Sequence, residues 1–398
     1  MPTYEDLRAY FEESGDLKNI AREASSVPIV KGFTLNVDPL WSLLYDVEND
    51  LLHLPASRLR ELEYWFFRND PFGFENYPPH SWLTTRYQGY RRRNLYASVK
   101  DWDKLKGAIP NRELLPVIMT IVHRPVRPTR QDLKEVEEDQ ESLSRLGRLV
   151  RSALVPIRLE ERPPARLALA GGDRLTTSTG KSGTLGGVVD DRANGISYAV
   201  TCDHVAQIGD LINDGLGKII GRCSANTARI PMPAPIVCDP ISLAVPAPIP
   251  SNGPAVNMLD CALIELSAPI TRSPIADIAT SISPGQSVIL HGATTGTTHH
   301  KLGSLALSYS FSEHGQDFCF RDSIELLPQS WGPVGGMLGH MMTTMPTKGD
   351  SGGWILTDDN PPYWAGLFFA EDGHRGFLIR ASWVHQWAER TVGCKLQL

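Results

Sequence analysis

Residues 349–353 read Gly-Asp-Ser-Gly-Gly, a pentapeptide whose residue types suit covalent catalysis by a serine. At ordinary amino-acid usage it arises by chance in about one of a thousand chains of this length. A serine hydroxyl becomes a good nucleophile only when a base removes its proton, so Ser351 should sit exposed on a fixed turn. The flanking glycines let the backbone approach a substrate carbonyl, and the amides of Gly349 and Ser351 would bind the oxyanion. The alternative is an ordinary surface turn, because turns favour the same residue types.

Two segments earlier in the chain offer a base and a carboxylate for this serine. A β-rich run at 196–201 leads into Cys202-Asp203-His204, which places His204 in a turn after a strand. Asp260 stands shortly before an apolar run that predicts another strand. Taken singly, His204 could be a satisfied histidine at a strand end, and Asp260 could be a plain loop aspartate. The order histidine, aspartate, serine is nevertheless that of the chymotrypsin type of triad.

These segments resemble the catalytic motifs of chymotrypsin- and trypsin-like serine peptidases. Gly-Ala-Thr-Thr-Gly at 292–296 is similar to the hairpin that opens the second barrel in bacterial members, and the strand, loop, strand and helix at the C-terminus are typical of how that fold ends. The match is partial before His204, where members usually carry small residues instead of Cys202 and Asp203. Over about residues 171–392 the resemblance implies a mainly β fold of two six-stranded β-barrels, preceded by a helical and α+β N-terminal extension.

The resemblance assigns His204, Asp260 and Ser351 to a catalytic triad, and the amides of Gly349 and Ser351 to an oxyanion hole. It implies an intracellular serine endopeptidase that acts on protein or peptide substrates through an acyl-enzyme, with no cofactor and no metal. The alternative is a catalytically silent member of the fold that serves as a binding or regulatory module. The intact triad argues against that alternative.

The resemblance also indicates where a substrate side chain would bind. Met345, six residues before the serine, would lie at the base of the primary pocket, with Phe369 and Glu371 along its wall. This composition favours a small or apolar residue at the cleaved position. A narrower resemblance, to bacterial and plant trypsin-like proteins of the Nal1 type, rests on the glycine-rich residues 170–173 and the Gly-Thr-Leu-Gly run at 183–186.

Asp350 raises a question that the sequence leaves open. In members of the family that are activated by cleavage, the aspartate before the serine pairs with a newly formed N-terminal amine. No processing sequence that would free such an amine is visible here. A buried carboxylate needs a cation or hydrogen-bond donors. We therefore expect an internal partner for Asp350, which the sequence does not identify.

The region before the barrels divides by its patterns into two parts. Residues 1–110 are predicted to be mostly helical and rich in aromatic residues, and residues 111–165 to form a strand-helix-strand unit with a linker. The peptidase domain would span 166–398. We expect the N-terminal part to recognise substrate or to control the peptidase through a regulatory partner; a scaffold that only covers barrel surface is the alternative. The proline-rich stretch at 231–254 should be a loop.

Composition narrows the classes of partner and the compartment. The net charge of −6 and pI of about 6.0 disfavour nucleic-acid binding, although Arg91-Arg92-Arg93 lies among the aromatic residues. The chain opens without a secretory signal pattern and has no apolar run of bilayer length, so neither secretion nor a membrane is expected. Six cysteines without framework spacing fit a cytoplasmic, bacterial protein with reduced thiols. Cys202 and His204 lack the further ligands of a zinc site.

Overall fold

The structure is a computed structural model that divides the chain into two compact units, one of residues 2–161 and one formed by Arg162–Trp331 and Gly335–Leu398. It describes residues 3–37, 117–126, 133–152, 157–162, 165–167, 174–233, 238–241, 251–253, 255–267, 275–328, 345–347 and 349–398. The aromatic-rich region at 64–102, the lead-in at 170–173 and much of the proline-rich stretch lie outside the described residues. The predicted domain boundaries at 110 and 165 stay predictions.

The N-terminal unit combines helices with a small sheet. Thr3 caps its first helix, because its hydroxyl accepts the Asp6 amide while the Asp6 carboxylate accepts the Thr3 amide. Strands β1 and β2 pair antiparallel, and β2 and β3 pair parallel across an intervening helix. The elements are α1 (Tyr4–Glu13), α2 (Gly15–Ser25), β1 (Val30–Val37), β2 (Val117–His123), α3 (Leu133–Ser152) and β3 (Ile157–Glu161).

The second unit begins with a short strand and continues with a seven-stranded antiparallel sheet in the order β6-β5-β9-β10-β11-β8-β7. By strand pairing this sheet is a half-barrel, and its two end strands, β6 and β7, are consecutive in the chain with three residues between them. The strands are β4 (Ala165–Leu167), β5 (Arg174–Thr177), β6 (Ser182–Thr184), β7 (Val188–Asp191), β8 (Ile196–Thr201), β9 (Leu211–Asn213), β10 (Ile219–Asn226) and β11 (Ala262–Leu266).

A closed barrel of six strands follows, in the cyclic order β12-β16-β17-β18-β15-β13 and back to β12. Its elements are β12 (Ser287–Gly292), β13 (Gly296–Glu313), β14 (Gln316–Phe320), β15 (Ser323–Pro328), β16 (Trp354–Thr357), β17 (Trp364–Glu371), β18 (Gly376–Arg380) and the closing helix α4 (Ala381–Val392). The mainly β, trypsin-like prediction is therefore confirmed. The structure differs from the predicted pair of six-stranded barrels in one respect: the first is a half-barrel of seven strands, most of them short.

Aromatic residues fill the closed barrel. Tyr309 and Phe311 from β13 contact Phe377 from β18 with ring centroids 4.9 and 5.0 Å apart. Phe369 from β17 joins them through Phe311 at 5.2 Å and Phe320 at 4.8 Å. Phe369 lies where the register of β17 against β18 shifts, between Phe368 and Ala370, and its aromatic contacts hold its ring in the core.

A disulfide joins Cys238 to Cys319 of β14, although no pairing could be deduced from the sequence. The two cysteines are 81 residues apart and pack against Val256. The Ser308 hydroxyl fixes the loop by donating to the Cys238 carbonyl at 2.8 Å. The bond differs from the fully reduced state that the sequence suggests. The described residues at 231–233 and 238–241 lie outside strands, in agreement with the predicted loop.

We expect this disulfide to contribute measurably to stability. Replacing both Cys238 and Cys319 by serine should lower the free energy of unfolding by about 2–4 kcal/mol, since the bond closes a long loop of the unfolded chain. Urea unfolding of the oxidised protein measures the change, and Cys394→Ser, at a free and half-exposed cysteine, is the matched control. Titration of the unfolded, unreduced chain should find four thiols; six would show that the bond does not form.

Candidate active site

His204 and Asp260 form a fully buried hydrogen-bonded pair. The ring Nδ1 of His204 lies 2.6 Å from Oδ2 of Asp260, and the backbone N–H of His204 donates to Oδ1 at 3.1 Å. Burial by itself would raise the pKa of Asp260, but His204 and Arg229 together hold it below its usual value. An ionised carboxylate only accepts hydrogen bonds, so Nδ1 carries the proton and Nε2 is left as the basic nitrogen.

The pairing of β8 with β11 brings these two residues together. Ala262 lies opposite Thr201, so the turns that carry His204 and Asp260 leave the same end of the sheet. Asn252 fixes the backbone before Asp260: its Oδ1 accepts the amides of Met258 and Leu259, both at 3.0 Å. Asn252 was not predicted from the sequence, since a single asparagine within the proline-rich stretch carries no signal of its own.

The loop that carries Ser351 is fixed against the half-barrel. The carbonyl of Ser351 accepts the Thr184 amide at 2.8 Å, and the Thr184 hydroxyl donates to the carbonyl of Gly349 at 2.8 Å. Gly352 has φ +93°, and a Cβ there would lie 2.3 Å from the Thr201 hydroxyl oxygen. Only glycine fits this position. The loop thus lies against the end of β8, three residues before His204.

The Ser351 hydroxyl donates to the Phe369 carbonyl at 3.1 Å, and the residue is fully buried. The sequence predicts an exposed serine on a turn, so the structure differs in the accessibility of this side chain. The reason is local, because the loop packs against the middle of β17: the Gly352 amide also donates to the Phe368 carbonyl at 2.9 Å.

Among the described residues, only some of the backbone amides of this loop have a hydrogen-bond acceptor. The N–H groups of Asp350, Gly352 and Gly353 donate to backbone carbonyls at 2.8–3.1 Å. Those of Gly349 and Ser351 have no acceptor among the residues that the structure describes. These two amides are the pair that the sequence predicts for an oxyanion hole. Their role stays a prediction.

Asp350 has the internal partner that the sequence left unidentified. Its buried carboxylate accepts four hydrogen bonds: from the amides of Thr294 (2.8 Å), Thr295 (3.2 Å) and Thr347 (2.9 Å), and from the Thr295 hydroxyl (2.9 Å). Two of these residues form the tip of the β12–β13 hairpin. Burial raises the pKa of Asp350, an effect that the bonds from Thr347 and Thr295 oppose. Hydrogen-bond donors within the chain therefore satisfy this buried carboxylate.

A second buried charge cluster adjoins the histidine. Arg229 donates from Nε to Asp203 at 2.8 Å and from a terminal nitrogen to Glu313 at 2.7 Å, and its Nε lies 3.6 Å from Asp260. Burial and the nearby Asp260 charge raise the pKa of Asp203. Arg229 and Glu313 were not predicted as site residues, because neither belongs to a sequence motif.

The three predicted pocket residues differ in their surroundings. The ring of Phe369 packs in the barrel core, so this residue faces the site with its backbone carbonyl and not with its side chain. Glu371, half-buried at the end of β17, accepts the Gly373 amide. Met345 is half-buried in a short described segment. The pocket formed by these three residues stays a prediction.

Cys202, His204 and Asp260 place three potential metal-ligand atoms within 4.8 Å of one another. Zinc binds the thiolate form of cysteine. Burial raises the pKa of the Cys202 thiol well above its usual value, and the thiol donates to the Phe368 carbonyl at 3.3 Å. The histidine and aspartate already bind each other, so this group does not fit a metal site. Among the described helices, none is both long and apolar enough to cross a lipid bilayer.

Comparison with solved structures finds bacterial serine proteases. Nocardiopsis protease is 14% identical with a TM-score of 0.36, covering 57% of this chain and 98% of that protein. Cellulomonas bogoriensis chymotrypsin (15%, 0.34) and Thermobifida fusca protease A (14%, 0.35) each cover 57% of this chain and 97% of their own. No protein-family model and no curated protein matches the sequence.

The half-barrel, the closed six-stranded barrel and the C-terminal helix give this chain the fold of the trypsin- and chymotrypsin-like serine proteases. The likeness to the solved structures concerns the fold alone. The narrower resemblance to the Nal1 type is not confirmed.

The close approach of the hairpin to Asp350 yields a test at Gly292. A Cβ at this position would lie 2.3 Å from Oδ1 of Asp350, so Gly292→Ala must displace the carboxylate or the hairpin. We expect a loss of about 1–3 kcal/mol in the free energy of unfolding. Gly215→Ala is the control, because the nearest atom to its Cβ is 3.7 Å away. Equal stability of the two variants in urea unfolding would contradict the described packing around Asp350.

Proposed function

We propose that the protein is a serine endopeptidase in which Ser351 attacks a peptide carbonyl. The observations that carry the proposal are the buried His204–Asp260 hydrogen bond of 2.6 Å and the packing of the Ser351 loop against the end of β8, three residues before His204. His204 takes the serine proton through Nε2 and returns it to the leaving amine. Asp260 holds the imidazole in the required tautomer and stabilises its protonated form.

The amides of Gly349 and Ser351 stabilise the oxyanion of the tetrahedral intermediate. Two properties support this role: they have no acceptor among the described residues, and the Asp350 carboxylate fixes the residue between them with four bonds. Donors held in place before the reaction cost no reorganisation when charge develops. Substrates are proteins or peptides, and a small or apolar residue at the cleaved position is our prediction from Met345.

A chemical test of the proposal compares wild type with Ser351→Ala on a peptide library and on unfolded protein substrates. We expect hydrolysis by wild type and none above background by the variant, because only Ser351 can form the acyl-enzyme. Accumulation of an acylated protein with an activated ester would support the same conclusion. Hydrolysis that persists in Ser351→Ala would contradict it.

The role of Asp260 predicts a second result. In the best-studied triad the Asp→Asn change lowers kcat by about 10⁴, because the amide favours the wrong histidine tautomer. We expect a loss of similar order for Asp260→Asn, measured as kcat on a peptide ester. Asp210→Asn is the matched control, a buried aspartate of the same half-barrel that accepts the Gln207 amide and not the imidazole. Turnover by Asp260→Asn at the level of this control would remove Asp260 from the mechanism.

One observation favours the alternative of a silent binding module. The Ser351 hydroxyl is fully buried and bonded to the Phe369 carbonyl. A permanent bond of this kind would keep the serine from attacking. Reactivity distinguishes a serine endopeptidase from a silent binding module, because a silent protein would bind peptides without turnover and without reaction at Ser351.

We propose regulation by the segment that leads into the barrels. Strand β4 pairs antiparallel with the end of β17, Leu167 opposite Ala370 and Arg166 opposite Glu371, and pairs parallel with β13. This edge of β17 begins next to Phe369, whose carbonyl accepts the Ser351 hydroxyl. An extended peptide binds an open strand edge by adding a strand to it. With β4 in place, a substrate has no access to that edge.

Breaking this pairing should activate the protein. The double change Arg166→Pro with Leu167→Pro removes two backbone donors, whereas Arg166→Ala with Leu167→Ala retains them. We expect a fluorophosphonate probe to label Ser351 about tenfold faster or more in the proline variant, and at the wild-type rate in the alanine variant. Equal rates in all three proteins, with the fold retained, would exclude β4 as a restraint.

One observation opposes the cytoplasmic location that the sequence predicts. The Cys238–Cys319 bond is a feature more typical of oxidising compartments, while Cys202, Cys223, Cys261 and Cys394 are free. Trapping of thiols at the moment of cell lysis decides between a reducing and an oxidising compartment. An oxidised Cys238–Cys319 pair would contradict a reducing one. Nucleic acid is not an expected partner.

A further inference from the structure

Arg229 occupies an unusual position behind the His204–Asp260 pair. Its side chain is 9% exposed and its guanidinium stacks on Phe318 at 4.8 Å. Three carboxylates from three separate elements surround it: Asp203 from the turn after β8, Asp260 before β11, and Glu313 at the end of β13. The planar guanidinium can serve several acceptors at once, which a lysine ammonium does less well.

Arg229 brings a positive charge into this cluster and so reduces its net negative charge. Asp203, Asp260 and Glu313 would otherwise bring three negative charges into a mostly buried region, with His204 as the remaining titratable base. Asp203 is 3% exposed and Asp260 fully buried. Carboxylates so close together favour protonation of one of them. The thiols of Cys202 and Cys261 also adjoin Asp260, and burial keeps both in the neutral form by raising their pKa.

The two carboxylate oxygens of Asp260 have different partners. Oδ2 faces Nδ1 of His204, while Oδ1 accepts the His204 backbone N–H and faces Nε of Arg229 at 3.6 Å. The same Nε donates to Asp203, the residue directly before His204. Arg229 therefore contacts the turn of the base and the carboxylate that orients it.

We propose that Arg229 is a positioning residue that keeps Asp260 ionised and holds the turn of His204 in register with it. This inference rests on the proposed function for its meaning in catalysis. Through Glu313 the same guanidinium links the turn to the β13–β14 hairpin of the closed barrel. A purely structural ion cluster is the competing explanation, and it predicts a loss of stability without a change in the protonation of Asp260.

The test compares Arg229→Gln, Arg229→Lys and Arg380→Gln. Arg380 is the matched control, because it is 6% exposed and stacks on Trp383 at 4.9 Å, as Arg229 does on Phe318. The first measurement is the pH at which the Asp260 carboxyl takes up a proton, followed by ¹³C NMR in the full-length Ser351→Ala background. This readout needs no turnover, so it stands even if the peptidase proposal fails.

We expect the protonation of Asp260 to move to higher pH by about one unit in Arg229→Gln, because a cation within 4 Å stabilises the carboxylate. Arg229→Lys keeps the charge and should stay close to wild type, as should Arg380→Gln. A protonation midpoint in Arg229→Gln equal to that of Arg380→Gln would overturn the proposal and leave Arg229 a structural residue.

The second measurement is the rate at which a fluorophosphonate probe labels Ser351 as a function of pH. In Arg229→Gln the acidic limb of this profile should move to higher pH, with labelling about fivefold slower at the wild-type midpoint for a shift of about one pH unit. Rescue by Arg229→Lys separates charge from packing. Absence of labelling in wild type would count against the proposed function alone, since the NMR result decides the role of Arg229 independently.

Discussion

The hydrogen bonds of the Asp350 carboxylate are the constraint on which the candidate site depends. Four donors, three of them on the β12–β13 hairpin, hold the buried carboxylate of Asp350. Asp350 lies between Gly349 and Ser351, whose amides have no acceptor among the described residues. Because these donors belong to the barrel itself, the loop is held in place without any new chain terminus. A restraint on the activity of the site would then have to act at another place. The pairing of strand β4 with the edge of β17 is one such place.

Burial of charge is the second theme of the site. His204 and Asp260 are fully buried, and an isolated ionised carboxylate would be costly at such a position. The cost is offset by two hydrogen bonds from His204 and by the nearby guanidinium of Arg229. Breaking one member of such a cluster leaves another charge unpaired, so the effects of substitution here will not be additive. Burial also raises the pKa of the Cys202 thiol well above its usual value and so favours the neutral form.

The parts of the site that follow from local sequence were predictable, and the parts that depend on distant contacts were not. The segments of His204, Asp260 and Ser351 each carry a short pattern, and the β-rich runs around them indicate the barrels. The partners of Asp350, Thr294 and Thr295, lie 56 and 55 residues away in a hairpin whose sequence pattern indicates the second barrel but no contact with Asp350. Arg229 and the Cys238–Cys319 bond depend on contacts 26 and 81 residues apart. Phe369 was predicted to line the pocket from its sequence position, whereas its ring packs in the barrel core at a register shift of β17.

The central claim is that Ser351 is a nucleophile activated by His204. The most direct test is mass spectrometry of the intact protein after incubation with a fluorophosphonate, followed by peptide mapping of the adduct. The account predicts a single adduct, on Ser351, which is absent when His204 is replaced by glutamine. A folded protein in which the β4 pairing has been broken and which still forms no adduct on Ser351 would contradict it, as would an adduct that forms equally well without His204.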